Sequence, residues 1–322
     1  MKILLVRLSS MGDLIHTLPA VEDLARQCPE VELHWLCEAG FADIARLHPF
    51  VKKVHVMKWR QWREHLFQAE TWREIGRLKT DLQAESFDFV LDSQGLIKSA
   101  CFAKMAKSPI YGLDKHSARE SLAAFAYSKT FAVPKGKNAV WRNRELFAQA
   151  FGYTMPETQV FGLSVPESGR LKNLQSPYYV ALHATSRDSK LWSVEHWRAL
   201  LKKLNEEQQC NVYLPWGNET EKMRAEQIAS NLPFASVCDK INLLQAAFLL
   251  KNAEGIIGVD TGLLHLANAL EKPVVGIYTD TDPAKTGVQV SAYAKNLGGI
   301  AQIPNVDEVY QTLMDCVAAY GK

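Results

Sequence analysis

Short apolar segments alternate along this chain with longer amphipathic segments, and the same alternation runs through the chain twice. A strand followed by a helix and then by another strand is typical of crossover units, which build parallel sheets with helices on their faces. The pattern therefore predicts an α/β fold with two parallel sheets. The predicted strands cover residues 3–8, 31–37, 51–56 and 87–91 in the first half, and residues 178–184, 211–214, 255–259 and 274–278 in the second.

The predicted helices lie between these strands. The sequence also predicts that the chain divides into two domains. Residues 152–177 contain several Gly, Pro and Ser residues with weak periodicity, which is typical of a linker. A length of 322 residues also favours two domains. We expect Rossmann-like domains over residues 1–165 and 166–322, an interdomain cleft, and a final helix free to pack back on the first domain. The predicted helices cover residues 14–26, 41–47, 96–105, 138–151, 194–205, 219–230, 243–252 and 263–270.

The composition is that of a globular protein without a membrane-spanning segment. The hydrophobic fraction is 47%, the charged fraction 22% and the net charge +2, which does not indicate a nucleic-acid binder. The six cysteines form no C-x-x-C pair and suit a reducing compartment. Arg7 interrupts the first apolar run before it reaches the length of a signal-peptide core, and no run of about 18 apolar residues follows. We therefore expect a cytoplasmic protein whose membrane contact is peripheral.

A polar loop with the carboxylate of Asp13 follows the first predicted strand. Ligands of open α/β sheets bind at the carboxyl ends of the strands, which is where this loop belongs. Gly12 permits a close approach of the backbone. Asp13 opens the next helix, so it is either an N-terminal cap or a carboxylate that takes a proton from an acceptor hydroxyl. The position alone leaves both interpretations open.

Two loops in the second half suit phosphate groups. Residues 182–192 contain hydroxyls, an arginine and a lysine between a strand and a helix, and this composition favours phosphate binding over a merely solvated turn. Thr261 and Gly262 stand at the start of a helix, where free N–H groups and the helix dipole attract anions. His265 lies one turn further on the same face, although a lone histidine there is more typical of a satisfied core residue.

Several other kinds of site leave no motif in the sequence. It contains no G-x-x-x-x-G-K-[ST], no G-x-G-x-x-G and no G-x-S-x-G, so a P-loop, a standard dinucleotide site and a hydrolase elbow are not indicated. Asp280 and Asp282 have the D-x-D spacing of metal-dependent glycosyltransferases, but Pro283 follows directly and favours a turn. We therefore predict that no metal is required.

A basic segment rich in tryptophan covers residues 58–79, with six Lys or Arg residues against three Glu. A solvated helix face is the ordinary interpretation of such a charge run. Basic side chains interleaved with Trp59, Trp62 and Trp72 also suit an anionic, amphiphilic target at a membrane surface, with Trp59 and Trp62 at the interface. Arg60 and Arg63 share one face if the segment is helical. Nucleic acid is a weaker alternative, because the overall charge argues against it.

Taken together, the motifs resemble those of the ADP-heptose lipopolysaccharide heptosyltransferases of glycosyltransferase family 9, most of all the type that transfers the first heptose. The similarity is carried by SSMGDLIHTLPA after the first strand, by DSQGLIKSA and SARE further along, and by LHATSRDSKLW, LPWG followed by Glu221, and VDTGLLHLANAL in the second half. These separated motifs occur in the family's order over nearly the whole chain. The resemblance is therefore far more specific than any one motif.

The resemblance implies the GT-B architecture and an inverting glycosyl transfer. Members of this type move L-glycero-D-manno-heptose from ADP-heptose, held by the C-terminal domain, to the first Kdo of Kdo2-lipid A during assembly of the lipopolysaccharide inner core. We accordingly expect ADP-heptose and Kdo2-lipid A as substrates and neither a metal nor another cofactor. We also expect a monomer that works at the cytoplasmic face of the inner membrane and binds no nucleic acid.

The resemblance also implies roles for individual residues. Asp13 is the general base, and Lys190 contacts the donor diphosphate and assists its departure. The other donor residues implied are Thr185, Ser186, Thr261, Gly262 and His265, with Glu221 at the ribose, Ile241 at the adenine and Asp260 near the heptose. The other acceptor residues implied are Ser10, Gly12, Arg60, Arg63 and Arg119. Ser186 stands where a second threonine is more usual, and its hydroxyl keeps the role.

Three alternatives remain open on the sequence. They are transfer of the second heptose by a heptosyltransferase II type, a non-catalytic nucleotide-sugar-binding protein, and a GT-B epimerase that uses a UDP-sugar. The basic segment favours the first transfer, because that acceptor carries bare Kdo carboxylates close to the lipid. The carboxylate of Asp13 argues against a non-catalytic protein.

Overall fold

The computed structural model describes residues 1–321, which form two compact units. The first unit is Met1–Ser164, and the second begins at Val165. Within residues 1–321, none of the helices combines the length and the apolar character that crossing a membrane requires.

The first unit is built on a parallel sheet of six strands in the order β3-β2-β1-β4-β5-β6. Its central strands are buried along almost their whole length, as expected for a parallel sheet with helices on both faces. The strands are β1 (Lys2–Val6), β2 (Glu32–Glu38), β3 (Val51–Met57), β4 (Phe89–Asp92), β5 (Ile110–Leu113) and β6 (Lys129–Phe131).

Seven α-helices accompany this sheet. The longest helix buries Leu78 and Leu82 in a core that also contains Leu4, Leu36 and Val90 from three strands. The helices are α1 (Met11–Ile15), α2 (Leu18–Gln27), α3 (Ala42–Arg46), α4 (Trp59–Trp62), α5 (Ala69–Ala84), α6 (Ile97–Ala103) and α7 (Ala139–Phe151).

The helix predicted over residues 14–26 is in fact two helices. α1 ends at Ile15 and α2 begins at Leu18, with Pro19 in its first turn. Proline has no N–H to donate to a preceding turn, but it suits the first turn of a new helix. Thr17 Oγ1 donates a hydrogen bond to the carbonyl oxygen of Asp13 at 2.9 Å and secures the break. α1 is consequently a short helix that ends soon after Asp13.

The second unit repeats the design of the first. Its six-stranded parallel sheet has the order β12-β11-β10-β7-β8-β9. At Gly258 a Cβ atom would lie 2.8 Å from Leu182 Cβ on the neighbouring strand, so this position needs glycine. The strands are β7 (Tyr178–Leu182), β8 (Asn211–Leu214), β9 (Ala235–Val237), β10 (Gly255–Val259), β11 (Val274–Tyr278) and β12 (Ala294–Gly298).

The helices of the second unit pack on this sheet. The final helix contacts α8 and the strands β10, β11 and β12, and it buries Val309 and Leu313 in the core of this unit. The helices are α8 (Val194–Gln208), α9 (Glu219–Ala229), α10 (Leu243–Lys251), α11 (Gly262–Ala269), α12 (Pro283–Thr286) and α13 (Val306–Tyr320).

Both sheets share one topology. Counted from the first strand of each unit, the strand order is 3-2-1-4-5-6, which is the order of the Rossmann fold. The direction of the connections reverses between β1 and β4 in the first unit and between β7 and β10 in the second. Ligands of such sheets bind at the carboxyl ends of the strands beside this switch point. We call the edge where these strand ends meet the carboxyl edge of each sheet.

Candidate active site

Two predicted motifs meet at the switch point of the first unit. β1 leads into the loop that carries Ser10 and then into α1 with Asp13, while β4 ends at Asp92 of the second motif. Val6 and Asp92 are register partners in the sheet. The two loops therefore begin side by side on the carboxyl edge.

The carboxylate of Asp13 lies among two arginines and the start of its own helix. Its Oδ1 lies 3.3 Å from Arg7 Nη2, and its Oδ2 accepts hydrogen bonds from the backbone N and the Oγ of Ser10, at 2.9 and 3.1 Å. Arg119 Nη1 lies 3.9 Å from Oδ2. Burial acts to raise the pKa of Asp13, but the Arg7 charge, the Ser10 hydrogen bonds and the Arg119 charge outweigh it, and the pKa lies below its ordinary value. Asp13 is therefore ionised at neutral pH.

Both interpretations of Asp13, as a helix cap and as a proton acceptor, fit the carboxylate that the structure shows. Asp13 is the third residue of α1, and it reaches back to the backbone N–H of the N-cap residue Ser10, as in a capping box. Its side chain is also 26% exposed, so an oxygen remains within reach of another molecule. Capping fixes the carboxylate in place and leaves it free to accept a proton.

Arg7 is the functional residue that the sequence reasoning missed. Its buried guanidinium donates from Nη1 to the carbonyl oxygen of Ser93 at 2.6 Å and reaches Asp13 with Nη2. Arg7 thus joins the loop after β1 to the loop after β4. The sequence did contain a signal for Arg7, because a cation stands at the end of an apolar strand, where a buried charge requires a partner.

The DSQG motif organises the loop after β4. Asp92 is buried, and it accepts hydrogen bonds of 2.7–3.3 Å from the backbone N–H groups of Gln94 and Gly95, from Ser99 Oγ and from Tyr127 Oη. All of these partners belong to the same unit. The motif is therefore a structural anchor beside Asp13.

The anchored loop also positions Arg119. Gly95 has φ +65°, and a Cβ atom there would lie 3.3 Å from both Ala118 Cα and the backbone N of Arg119. Glycine permits this left-handed conformation and the close approach together. The side chain of Arg119 is 56% exposed, so the predicted acceptor contact remains open to a ligand.

The predicted acceptor arginines of α4 lie near the carboxyl end of β2. Arg60 N donates to Glu38 Oε1 at 3.3 Å, and the Arg60 guanidinium carbon lies 5.0 Å from the centre of the Phe41 ring. Burial raises the pKa of Glu38, while the Arg60 N–H and the charges of Arg60, Lys98 and Arg63 oppose the rise. Three cations therefore share the surroundings of Glu38. Arg60 and Arg63 are both exposed.

The two tryptophans of α4 do not form a surface, and the prediction that they rest at a membrane interface is wrong. Trp62 is 3% exposed, and its Nε1 donates to Glu74 Oε2 at 2.6 Å. Trp59 packs against the core with its ring centre 5.9 Å from that of Phe102. These rings attach α4 to the core and leave the arginines outside.

The predicted donor residues gather on the carboxyl edge of the second unit. Thr185 and Lys190 follow β7, and Asp260 follows β10, which is the neighbour of β7 at the switch point. Glu221 follows β8 and Ile241 follows β9. The sheet order brings β10, β7, β8 and β9 into one row, so these loops line one continuous edge.

Lys190 and Asp260 form a nearly buried ion pair. Lys190 Nζ lies 2.6 Å from Asp260 Oδ2, and the two side chains are 11% and 9% exposed. Thr281 Oγ1 donates to the same Oδ2 at 3.0 Å, while Thr185 Oγ1 donates to the carbonyl oxygen of Asp260 at 2.7 Å. Asp260 was expected near the sugar, and the contact that the structure shows is with Lys190. The carboxylate holds the ammonium group at the switch point.

The start of α11 lies beside this pair. Thr261 is the N-cap residue, and Gly262 is the first residue of the helix, so the N–H groups of the first turn have no partner within the helix. His265 is buried one turn further along. Ser186 is exposed on the loop after β7. The arrangement offers N–H donors, hydroxyls and an ammonium group to a phosphate.

A second arginine outside the predictions supports the loop after β7. Arg224 of α9 donates from Nε to the carbonyl oxygen of His183 at 3.2 Å, and from Nη2 to that of Trp192. Ser189, between these points, donates from Oγ to Asp280 Oδ2 at 2.6 Å. Arg224 holds both ends of the loop and thereby positions Lys190.

Glu221 caps its own helix. Its Oε2 accepts the backbone N–H of Gly217 at 2.7 Å, and its Oε1 accepts Asn218 Nδ2 at 2.9 Å. The side chain stays partly exposed, as does that of Ile241 before α10. Both lie on the carboxyl edge, where a nucleoside would extend from the phosphate groups.

Asp280 and Asp282, the D-x-D pair, both have partners within the protein. Asp282 Oδ1 accepts the backbone N–H of Ala284 at 3.0 Å and caps α12. Asp280 accepts the hydroxyl of Ser189. The pair lies in a turn that leads into Pro283, as this proline indicated.

Two Rossmann-like units, each with polar groups at the switch point of a parallel sheet, place the protein in the GT-B class, which includes glycosyltransferases and epimerases. Comparison with known proteins narrows the class. Residues 75–317 match the sequence profile of glycosyltransferase family 9 (heptosyltransferase). The chain is 40% identical to lipopolysaccharide heptosyltransferase 1 of Pseudomonas aeruginosa over 289 residues, which is 89% of this chain and 81% of the relative. The chain belongs to glycosyltransferase family 9, the heptosyltransferases.

Solved structures agree with this assignment. The Escherichia coli heptosyltransferase WaaC with ADP superposes with a TM-score of 0.91 at 35% identity, covering 98% of this chain and 100% of WaaC. WaaC with ADP-2-deoxy-2-fluoro heptose superposes with a TM-score of 0.86 at 34% identity, covering 100% of both chains. The predicted α/β fold, GT-B architecture, family and enzyme class are thus confirmed.

Proposed function

We propose that the chain transfers L-glycero-D-manno-heptose from ADP-heptose to the first Kdo of Kdo2-lipid A, with inversion at the anomeric carbon. The observation that carries the proposal is the ionised carboxylate of Asp13, held at the switch point by Arg7 and Ser10 and still partly open to solvent. The relative named lipopolysaccharide heptosyltransferase 1 supports heptose as the transferred sugar. The WaaC structures with ADP and with ADP-2-deoxy-2-fluoro heptose support ADP-heptose as the donor.

The donor diphosphate binds between Lys190 and the start of α11. Lys190 has an ammonium group with three donors, of which Asp260 uses one. The other two are available to phosphate oxygens, together with the N–H groups of Gly262 and its neighbours. Ribose and adenine lie toward Glu221 and Ile241, further along the same carboxyl edge. Ser186 and His265 complete the donor site.

In the reaction, Asp13 takes the proton of the acceptor hydroxyl while the hydroxyl oxygen bonds to the anomeric carbon of the heptose. The bond from this carbon to the diphosphate breaks, and ADP leaves with the bonding electrons. Attack on the face opposite to the leaving group inverts the carbon. Lys190 and the N-terminus of α11 stabilise the charge that grows on the diphosphate. Since these groups supply the electrophile, the proposal requires no metal.

The acceptor binds to the arginines of the first unit. Guanidinium groups form paired hydrogen bonds with carboxylates and phosphates, and Kdo2-lipid A carries both. Arg60 and Arg63 are exposed, and Arg119 lies close to the base. Ser10 and Gly12 lie in the same segment as Asp13 and contact the sugar that carries the hydroxyl.

The same unit docks on the cytoplasmic face of the inner membrane. Phe67 is fully exposed, and Leu66 and Trp72 beside it are also exposed. Trp72 Nε1 donates to the carbonyl oxygen of Leu66 at 2.8 Å, which holds Trp72 next to the loop that carries Leu66 and Phe67. Basic residues flank them along the segment 58–79. Exposed apolar groups in a segment with excess positive charge suit an anionic lipid surface.

Steady-state kinetics with ADP-heptose and Kdo2-lipid A test the proposal. We expect turnover with this pair, turnover that survives EDTA, and none with UDP-sugars. Asp13→Asn preserves the shape of the side chain but removes its negative charge, so kcat should fall by about 10²–10⁴-fold. ADP-heptose affinity should hardly change. Asp43→Asn, at a helix start of the same unit, is the matched control and should retain activity.

Near-normal turnover by Asp13→Asn would overturn the assignment of the base. Preference for an acceptor that already carries one heptose would indicate the second transfer instead of the first. A strict requirement for Mg²⁺ or Mn²⁺ would favour Asp280 and Asp282 as metal ligands.

A further inference from the structure

Two buried histidines and a glutamate converge in the first unit, away from the groups described so far. His34 lies on β2 and His55 on β3, and they are 2% and 4% exposed. In the parallel register His55 pairs with Leu36, so the two histidines are two positions apart and lie on the same face of the sheet. Glu85, the C-cap residue of α5, meets them from the helix that covers this face.

The ligand atoms of these residues point to one place. His34 Nδ1 lies 3.1 Å from His55 Nε2 and 3.9 Å from Glu85 Oε2, and all three atoms lie within 4.8 Å of one another. Tetrahedral zinc with bonds of about 2.0–2.1 Å places its ligand atoms about 3.3 Å apart. The cluster therefore needs only small side-chain shifts to close around such an ion.

Surrounding groups orient the cluster in the way that metal sites require. His34 Nε2 lies 3.0 Å from Glu32 Oε1. If His34 donates from Nε2 to this carboxylate, its Nδ1 lone pair faces the cluster, as in a carboxylate–histidine–metal triad. The Phe87 ring packs edge-on against both imidazoles, with ring centres 5.3 and 6.0 Å away, and limits the movement of both rings.

Two lysines compete for the same carboxylate. Lys53 Nζ lies 2.6 Å from Glu85 Oε1, and Lys2 Nζ lies 3.0 Å from Oε2. Lys53 can keep Oε1 while Oε2 binds an ion. Lys2 must give up Oε2, but it retains Glu32, which is 3.3 Å away. An ion thus replaces the hydrogen bond between His34 Nδ1 and His55 Nε2 and one partly exposed lysine contact, and it leaves the contacts of Glu32 and Lys53 in place.

We propose that His34 Nδ1, His55 Nε2 and Glu85 Oε2 form a zinc site, with water as the fourth ligand. Two imidazoles, a carboxylate and a water are a common donor set for Zn²⁺. The ion links β2, β3 and the end of α5. Glu32 pairs with Lys2 at the amino end of β1, and Glu85 precedes β4, so the carboxylates of the cluster lie toward the amino ends of the strands, away from the carboxyl edge that holds Asp13. It stabilises the first unit and takes no part in transfer.

Metal titration of the chelator-treated full chain tests the site. Cys101→Ser serves as the background, because this cysteine is exposed and is a potential zinc ligand. We expect one Zn²⁺ per chain in competition with a chromophoric chelator, the intense visible absorption of tetrahedral Co²⁺, and a higher midpoint of thermal unfolding with Zn²⁺. His55→Ala should weaken Zn²⁺ binding by more than about 100-fold, since loss of an outer-shell partner alone costs about 10–100-fold.

Glu85→Gln provides a second test, because Glu85 reaches the surface and the substitution preserves its shape. It should also weaken Zn²⁺ binding, by at least about tenfold. His65→Ala, at an exposed histidine of the same unit, is the matched control and should bind Zn²⁺ as the background does. Equal Zn²⁺ affinity in the background, His55→Ala and Glu85→Gln, or no tetrahedral Co²⁺ spectrum, would overturn the proposal. The groups would then be only a hydrogen-bonded chain from Glu32 through His34 to His55.

Discussion

At the scale of single residues, Arg7 controls the charge state of Asp13. The folded protein holds the pKa of Asp13 below its ordinary value, so this proposed base stays ionised across the neutral and mildly acidic range. Arg7→Gln removes the nearest cation and leaves the effect of burial, which raises the pKa. We therefore expect the acid limb of the profile of kcat/KM against pH to move to higher pH in this variant.

Measurement of kcat/KM from acid to neutral pH checks this shift. Arg7→Lys retains a positive charge and is the matched control, so its acid limb should move less. The test compares the pH at which the acid limb falls in each protein. A general loss of stability would instead lower kcat/KM at every pH. An acid limb at the same pH in the wild type and in Arg7→Gln would mean that Asp13 is not the titrating base.

Lys190 is expected to act on both donor binding and turnover. Lys190→Ala removes the ammonium group proposed to bind the leaving diphosphate, and it also leaves Asp260 as a nearly buried carboxylate without its cation. Loss of one electrostatic contact to a developing charge typically lowers kcat by about 10²–10³-fold. The unpaired carboxylate should in addition repel ADP-heptose and weaken its binding.

Kinetics with varied ADP-heptose, together with calorimetric titration by ADP, separate the two effects. Lys285→Ala, at an exposed lysine of α12 in the same unit, is the matched control and should change neither. An effect of Lys190→Ala confined to the KM of the acceptor would assign this residue to the acceptor site.

At the scale of elements, the central strands were predictable, whereas the edge strands other than β3 were not. β1, β4, β7 and β10 lie at the middle of their sheets, so helices cover both faces and their sequences are continuously apolar. β6 and β9 are edge strands of three residues with exposed positions, and their short mixed sequences contain no periodic signal. β12 is likewise an edge strand and only partly buried, and the sequence analysis missed it together with β5.

The residues of the candidate site likewise divide into those that the sequence predicted and those that it did not. Asp13, Lys190 and Thr261 lie in the segments that follow β1, β7 and β10, so the rule for the carboxyl ends of parallel strands located them. Arg7 depends on a contact with Ser93 that is distant in the sequence, and only the pairing of β1 with β4 reveals it. Trp62 resembled a surface residue because basic residues flank it, but Glu74 and the core cover it.

The exposed arginines of α4 should determine acceptor affinity. Arg60→Ala combined with Arg63→Ala removes two exposed guanidinium groups while the tryptophans keep α4 attached to the core. We expect a higher KM for Kdo2-lipid A and nearly unchanged ADP-heptose affinity, because carboxylates and phosphates lose their paired donors. Added salt should shift the wild type in the same direction.

Steady-state kinetics with each substrate varied in turn provide the measurement. Arg26→Ala combined with Lys52→Ala, at exposed residues near the end of α2 and the start of β3, removes equal charge outside the segment 58–79 and is the matched control. Unchanged acceptor kinetics in the Arg60/Arg63 variant across a range of ionic strength would mean that these side chains are only a solvated face.

At the scale of the whole molecule, charge is distributed unevenly. The net charge of the chain is +2, yet the segment 58–79 alone has six basic residues against three acidic ones. Phe67 stands fully exposed in this segment, where water alone offers it no favourable contact. A surface that combines local positive charge with an exposed aromatic ring is typical of peripheral binding to anionic lipid.

Phe67→Ser should therefore weaken binding to vesicles that contain anionic lipid. Full burial of a phenylalanine side chain contributes about 1.5–3 kcal/mol, so a partly inserted ring should give roughly a tenfold loss of binding. Cosedimentation over a range of NaCl concentrations measures this, and salt should weaken the wild type as it screens the basic residues. Met223→Ser removes an exposed apolar side chain from α9 of the second unit and should bind as the wild type does. Equal binding of all three proteins would show that Phe67 is not a membrane contact, and binding insensitive to salt would show that the basic segment is not one either.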